Sequence, residues 1–194
     1  MEVEVPRPTA IDSIFVYLQR NYINVVAKYN QDGGWEPWLQ SELVDYIKAN
    51  GIGTQRYAER EEHIWGAPYA ADKVDILTSY QIEGQSHVEA IELKCASTRQ
   101  DEKPGNLAQR MQADIRKLQN RQQYVKKFVK ADQQLMYGVS FGITLDESSA
   151  QATEEALLNF PGESLISRWD WGPKGGSAVG KTITVWSYWL YQWR

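Results

Sequence analysis

Two β-like runs, Lys73 to Tyr80 and His87 to Cys95, place charge inside otherwise apolar sequence, and this limits what the chain can become. The first holds Val74-Asp75-Ile76-Leu77, the second Ile91-Glu92-Leu93-Lys94, and the turn Glu83-Gly84-Gln85 separates them. Side chains alternate faces along a strand, so Glu92 and Lys94 share one face while Ile91 and Leu93 take the other. A hairpin of these runs brings Asp75 to the face of Glu92 and Lys94. Burying such groups costs several kcal/mol unless they are paired or bind an ion.

The rest of the chain supplies layers for that hairpin. Thr9 and Asp12 suit a capping box, leading into Ile11, Ile14, Phe15, Leu18, Tyr22, Val26 and Tyr29 on one helical face, up to the turn Asp32-Gly33-Gly34. A second helix is predicted from Pro37 to Asn50, with Leu39, Leu43, Tyr46 and Ile47 inward and Gly51 as its stop. Arg56 to Trp65 reads as a strand before the hairpin. A long helix from Leu107 to Lys130 carries the stripe Leu107, Met111, Ile115, Leu118, Val125 and Val129. Gln134 to Thr144 reads as a buried strand, Ala150 to Phe160 as a short helix and Thr182 to Trp193 as a final strand apolar on both faces. This order predicts an α/β domain on a central mixed β-sheet flanked by helices. The 194 residues suit one domain, with an N-terminal helix over 1–35, a core over 36–145 and a C-terminal helix and Trp-rich strand over 146–194.

Composition narrows the chemistry. A net charge of −4 excludes a generally basic nucleic-acid coat, so a phosphate-binding surface must be a local patch. Cys95 is the single cysteine, and His63 and His87 are the two histidines, which excludes a disulfide framework and cysteine or histidine zinc clusters. Eight Trp and eleven Tyr suit core packing before base stacking. Trp186, Trp189 and Trp193 fit either the core or a homodimer interface. There is no secretory signal pattern and no long apolar span, so an intracellular setting (cytoplasmic, nucleoid or nuclear) is expected, with delivery into another cell left open. No membrane role is expected.

Two carboxylates and a lysine converging on a point suit phosphodiester hydrolysis. Hard oxygen ligands hold Mg²⁺ or Mn²⁺, and the lysine orients a water or stabilises the transition state. The plainer reading is an ion pair between neighbouring strands. The order of elements from about Trp38 to Ile143 resembles the PD-(D/E)XK nuclease superfamily, the restriction-endonuclease-like fold, with Val74 standing where the family label has Pro. The resemblance implies that Asp75 and Glu92 bind the metal together with the carbonyl of Leu93, and that Lys94 serves the water. It also implies a preceding helical Glu, for which Glu42 is the first candidate and Glu59, Glu61 and Glu62 are competitors. Arg110, Lys117 and Arg121 on the long helix are candidate phosphate contacts; alternatively that face is solvated and laced by Arg110–Asp114 and Asp114–Lys117 pairs. The expected function is a metal-dependent endonuclease of restriction, mobile-element, phage or toxin type, with DNA favoured over RNA. A toxin role would bring a cognate inhibitor, for which the sequence carries no signature. The alternative is a non-catalytic protein- or nucleic-acid-binding module that keeps the fold.

Gly175 to Thr182 matches the P-loop spacing, but a β-like run follows where the phosphate cradle needs a helix, so a loop before an edge strand is expected. His63 is read as structural, and Cys95, next to Lys94, as pointing into the apolar layer.

Overall fold

The computed structural model describes residues 9–29, 34–96, 103, 105–121, 125, 134–160, 165–171 and 182–190. The hairpin forms: β2 (Val74–Ile82) and β3 (Gln85–Cys95) pair antiparallel across Glu83-Gly84. Both turn residues have positive φ, 51° and 80°, as a two-residue type I′ turn requires. The turn sets the register. Pairs run from Ile82↔Gln85 to Ile76↔Ile91, and continuing that count by one residue sets Asp75 opposite Glu92.

The hairpin sits inside a six-stranded mixed sheet ordered β1-β2-β3-β4-β6-β5. β1 (Thr54–Glu62) flanks β2, β4 (Gln134–Thr144) runs parallel to β3, and β6 (Ile183–Leu190) and β5 (Leu165–Trp171) continue antiparallel. The protein is therefore α/β, a mixed sheet flanked by helices. Phe141 of β4 meets Phe15 of α1 (Thr9–Arg20), ring centroids 6.1 Å apart, whereas the next residue, Gly142, faces Met111 of α4 (Asn106–Arg121). Consecutive strand residues point to opposite faces, so α1 and α4 cover opposite sides. α3 (Glu36–Asn50) joins α1, with Tyr17 and Tyr46 in edge contact, and α5 (Glu147–Leu158) lies beside α4, where Gln112 donates to the Ala156 carbonyl. The larger core holds Ile11, Leu18, Leu39, Leu43, Ile91 and Leu93; a smaller cluster on the α4 side holds Ile64, Trp65, Leu77, Val88 and Leu118.

Several expectations are corrected. The first helix is two, because α2 (Tyr22–Tyr29) follows a break at Asn21, whose side chain bonds back to the Tyr17 carbonyl at 3.0 Å, a local competitor of regular helix. α4 as described ends at Arg121, and Val125 makes an extended bridge to Trp65, still packing on the smaller cluster; Val129 lies outside the described residues. β5 was not expected, and β6 is interior, paired with both β4 and β5. The two form an antiparallel pair, so the P-loop match spans a strand-to-strand connection; its residues 175–181 lie outside the described set. Trp186 is 1% exposed and belongs to the core, while Trp193 and the Trp189 side chain lie outside the described set. No described helix is long and apolar enough to cross a membrane.

The first turn of α1 is capped from the sheet. Glu89, fully buried, accepts from the amides of Thr9 (2.7 Å) and Ala10 (3.0 Å), and from the hydroxyls of Tyr80 and Thr78. Burial pushes its carboxyl from the ordinary 4.5 up to about 7, against the pull of those donors. An acid raised in the folded state contributes stability that is full below its unfolded value and lost as pH rises through the folded one. Relative to Glu89→Gln, the wild type is expected to gain up to about 3 kcal/mol as pH falls from about 7 to 4.5. Urea midpoints of both proteins across that range check it; a pH-independent difference would refute the titration of Glu89.

Candidate active site

The register that opposes Asp75 to Glu92 also brings Lys94 over both, on the face covered by α4. The Lys94 ammonium stands 2.9 Å from the Leu93 carbonyl, 3.2 Å from Asp75 Oδ2, 3.4 Å from Asp114 Oδ2 and 3.5 Å from Glu36 Oε1. Asp75 Oδ2 also accepts from the Leu93 amide at 2.7 Å, which fixes the carboxylate against the β3 backbone. Glu92 pairs with Lys117 at 2.5 Å. Lys117 in turn donates to the Lys73 carbonyl at 2.6 Å and lies over the Trp65 ring. Asp75, Glu92 and Lys94 are thus brought together as the alternation predicts.

The helix acid in the cluster is Glu36. Trp35 donates from Nε1 to the Ala96 carbonyl at 2.8 Å, pinning the start of α3 to the end of β3. Glu36 then reaches the Cys95 amide at 2.9 Å as well as Lys94. Glu42 does not reach the cluster. α3 turns Leu39, Gln40, Leu43, Val44 and Ile47 inward, which leaves Glu42 exposed and bonded to the Tyr17 hydroxyl at 3.0 Å. Two of the β1 competitors are engaged elsewhere: Glu59 pairs with Lys48 and Glu61 with Lys73.

On α4 the structure divides the three basic candidates. Lys117 belongs to the cluster. Arg110 donates to the Cys95 carbonyl at 2.9 Å, at the end of β3. Arg121 pairs with Asp72 at 2.9 Å and lies over the rings of Trp65 and Tyr69, bracing the segment beneath Lys117. Asp114 does not fit the alternative of a solvated ladder with Arg110 and Lys117, because it is 8% exposed and turned toward Lys94. His63 is exposed, with Nδ1 at 3.2 Å from the Asp72 carbonyl, and Cys95 is buried, its thiol pushed well up by that burial.

The electrostatics follow from crowding acids under a helix. Burial pushes the Glu92 carboxyl up to about 8; Lys117 opposes the shift, and Asp75 and Asp114 add to it. Asp114 is pushed up to about 6 by burial, against the Lys94 charge. Burial works against the Lys94 ammonium, yet Asp114, Asp75, Glu36 and Glu92 outweigh it and hold the group above its ordinary range. Four carboxyl groups face two ammonium groups, so full ionisation of the acids would leave two negative charges in excess, and the raised Glu92 and Asp114 carboxyls answer that crowding. Among the described residues no three acid, histidine or cysteine side chains already converge at metal-holding distances; the lysines stand between the acids. No family model, curated protein or solved structure matches this chain.

Proposed function

We propose that the protein is a Mg²⁺- or Mn²⁺-dependent nuclease that hydrolyses phosphodiester bonds, with DNA favoured, on a PD-(D/E)XK-like core. The observation that carries this reading is the meeting of Glu36, Asp75, Glu92 and Asp114 with Lys94 and Lys117 in one poorly solvated cluster, where a divalent cation would favour ionisation of the raised Glu92 and Asp114 carboxyls. The donors are carboxylate and carbonyl oxygens throughout, a set that suits Mg²⁺ or Mn²⁺ over softer metals.

Asp75, Glu92 and the Leu93 carbonyl are the groups that would hold the ion, which when bound supplies positive charge to the phosphoryl oxygens and acidifies water. Lys94, kept protonated by its neighbours, acts as a donor and a positive charge that orients the nucleophilic water, and not as a base. Arg110 and Lys117 flank the acids from α4 and suit phosphate oxygens on either side of the scissile bond. Arg121, committed to Asp72, serves chiefly to brace Trp65.

Incubating plasmid, single-stranded DNA and RNA with the protein, with Mn²⁺ or Mg²⁺ and with EDTA, tests the proposal. Cleavage abolished by EDTA is expected. No cleavage of any substrate, together with no Mn²⁺ heat in calorimetry, would leave a non-catalytic binding module in its place. Within the same assay Glu36→Gln is expected to lose about 10- to 100-fold in rate, as for groups that orient an ion site. Glu42→Gln should match the wild type. The reverse order would move the helix acid back to Glu42.

A further inference from the structure

Lys94 and Lys117 are both ammonium groups among acids, but their surroundings differ in kind. Lys117 is anchored from outside the cluster, by the Lys73 carbonyl and the Trp65 ring, and touches one acid, Glu92. Lys94 is surrounded by oxygens of the cluster: Leu93 carbonyl, Asp75, Asp114 and Glu36. Four oxygens around one positive centre, three of them carboxylate, make a cation shell. A second observation points the same way. Glu92 is 2% and Asp114 8% exposed, and Oε1 of the one and Oδ2 of the other are sealed from solvent, each facing a single ammonium group.

We infer that Lys94 is the resident placeholder of the cation site: its ammonium occupies an oxygen shell that includes Asp114 of α4, and a divalent ion binds by displacing it. The inference rests on the metal-dependent reading above and deepens it. Asp114 becomes part of the ion's surroundings, and Lys94 takes up its role beside the water only once the ion has expelled it. In the ion-free protein the placeholder prevents Asp75, Asp114 and Glu36 from facing one another unscreened. Ion affinity is then lowered by the fraction of molecules in which the shell is vacated by the lysine, and removing the ammonium removes that penalty.

Mn²⁺ titration of the full chain, read by calorimetry and by the electron paramagnetic resonance signal of free Mn²⁺, tests this on wild type, Lys94→Met, Lys117→Met and Asp114→Asn. Lys94→Met is expected to bind Mn²⁺ at least about tenfold more tightly than wild type. Lys117→Met removes the same charge but frees only the Glu92 carboxylate, leaving Lys94 in the shell, and should gain clearly less. Asp114→Asn should bind more weakly than wild type. Equal gains in the two lysine variants would reduce the effect to net charge and overturn the inference, as would no gain in Lys94→Met. The wild type provides a readout that does not depend on variant folding. In ¹⁵N-lysine spectra without metal, the Lys94 ammonium should be protected from solvent exchange, and saturation with Mg²⁺ should abolish that protection while sparing Lys117. Persistence of both signals in the Mg²⁺-loaded protein would overturn the inference. Mn²⁺ competition without cleavage of any nucleic acid would sink the nuclease reading alone; metal-dependent cleavage with unchanged affinities would sink the placeholder alone.

Discussion

Asp75→Asn is expected to reduce metal-dependent DNA cleavage on the order of 10³-fold, with the fold retained. The substitution keeps the shape of the side chain. Its carbonyl oxygen can still accept from the Leu93 amide, which now sits 2.7 Å from Oδ2, so the start of β2 stays tied to the end of β3. What disappears is one full negative charge at a point shared by the β3 backbone and the Lys94 ammonium. An amide oxygen is a poorer partner for a hard cation than a carboxylate, and Lys94 would then lean on Asp114 and Glu36 alone. Lys94→Ala should be as inactive for a different reason, the loss of the protonated donor beside the water. Single-turnover cleavage at saturating Mn²⁺, with circular dichroism as the folding control, measures both. Wild-type rates in the two folded variants would dispose of a catalytic role for this cluster.

The hairpin and its charged face were legible because strand alternation is a local rule, although the turn closes over Glu83-Gly84 alone and Gln85, predicted as its third residue, already pairs with Ile82. Once Glu83-Gly84 is the turn, the opposition of Asp75 and Glu92 follows by counting. The contributions from helices were harder to read. Glu36 stands one residue before the predicted helix start at Pro37, and it reaches the site only because Trp35 binds a carbonyl sixty-one residues away; no local pattern encodes that contact. Asp114 did carry a signal. It lies at helical spacing between Met111 and Leu118, within the buried stripe, where an acid needs a partner.

The same distinction holds for the fold. The second helix and the strands of the hairpin fell within a few residues of their predicted bounds, and β4 (Gln134–Thr144) matches its predicted span. β5 went unread because Arg168 and Asp170 are exposed on it and the Gly172-Pro173 pair that follows dominates the local pattern. It is a strand because β6 pairs with it, a tertiary cause. The first helix divides at Asn21 for the opposite reason, a single side chain competing locally with a long apolar pattern.

Gly142→Ala is expected to destabilise the protein by about 1–3 kcal/mol, and Gly142→Val by more. A Cβ at position 142 would stand 2.1 Å from Met111 Sδ and 3.1 Å and 3.2 Å from its Cε and Cγ. Met111 is fully buried, so its chain cannot swing into solvent. Gly142 pairs with Lys94 on one side and Trp186 on the other, where Met111 of α4 rests on the sheet. The alternation Gly138-Val139-Ser140-Phe141-Gly142 leaves one face of β4 small, and α4 comes near enough for Asp114, one turn beyond Met111, to meet Lys94. A methyl group at 142 therefore acts on the site as well as on the core. Met111→Ala alone should cost about 2–5 kcal/mol through its cavity, but in the double variant the new methyl fills part of that space. The two costs should then fall short of additivity by about 1 kcal/mol or more. Urea unfolding of the four proteins measures this coupling, and Mn²⁺ affinity measured alongside should fall in Gly142→Ala and recover in the double variant. Strict additivity would mean that α4 does not rest on Gly142, and the placement of Asp114 would need another cause.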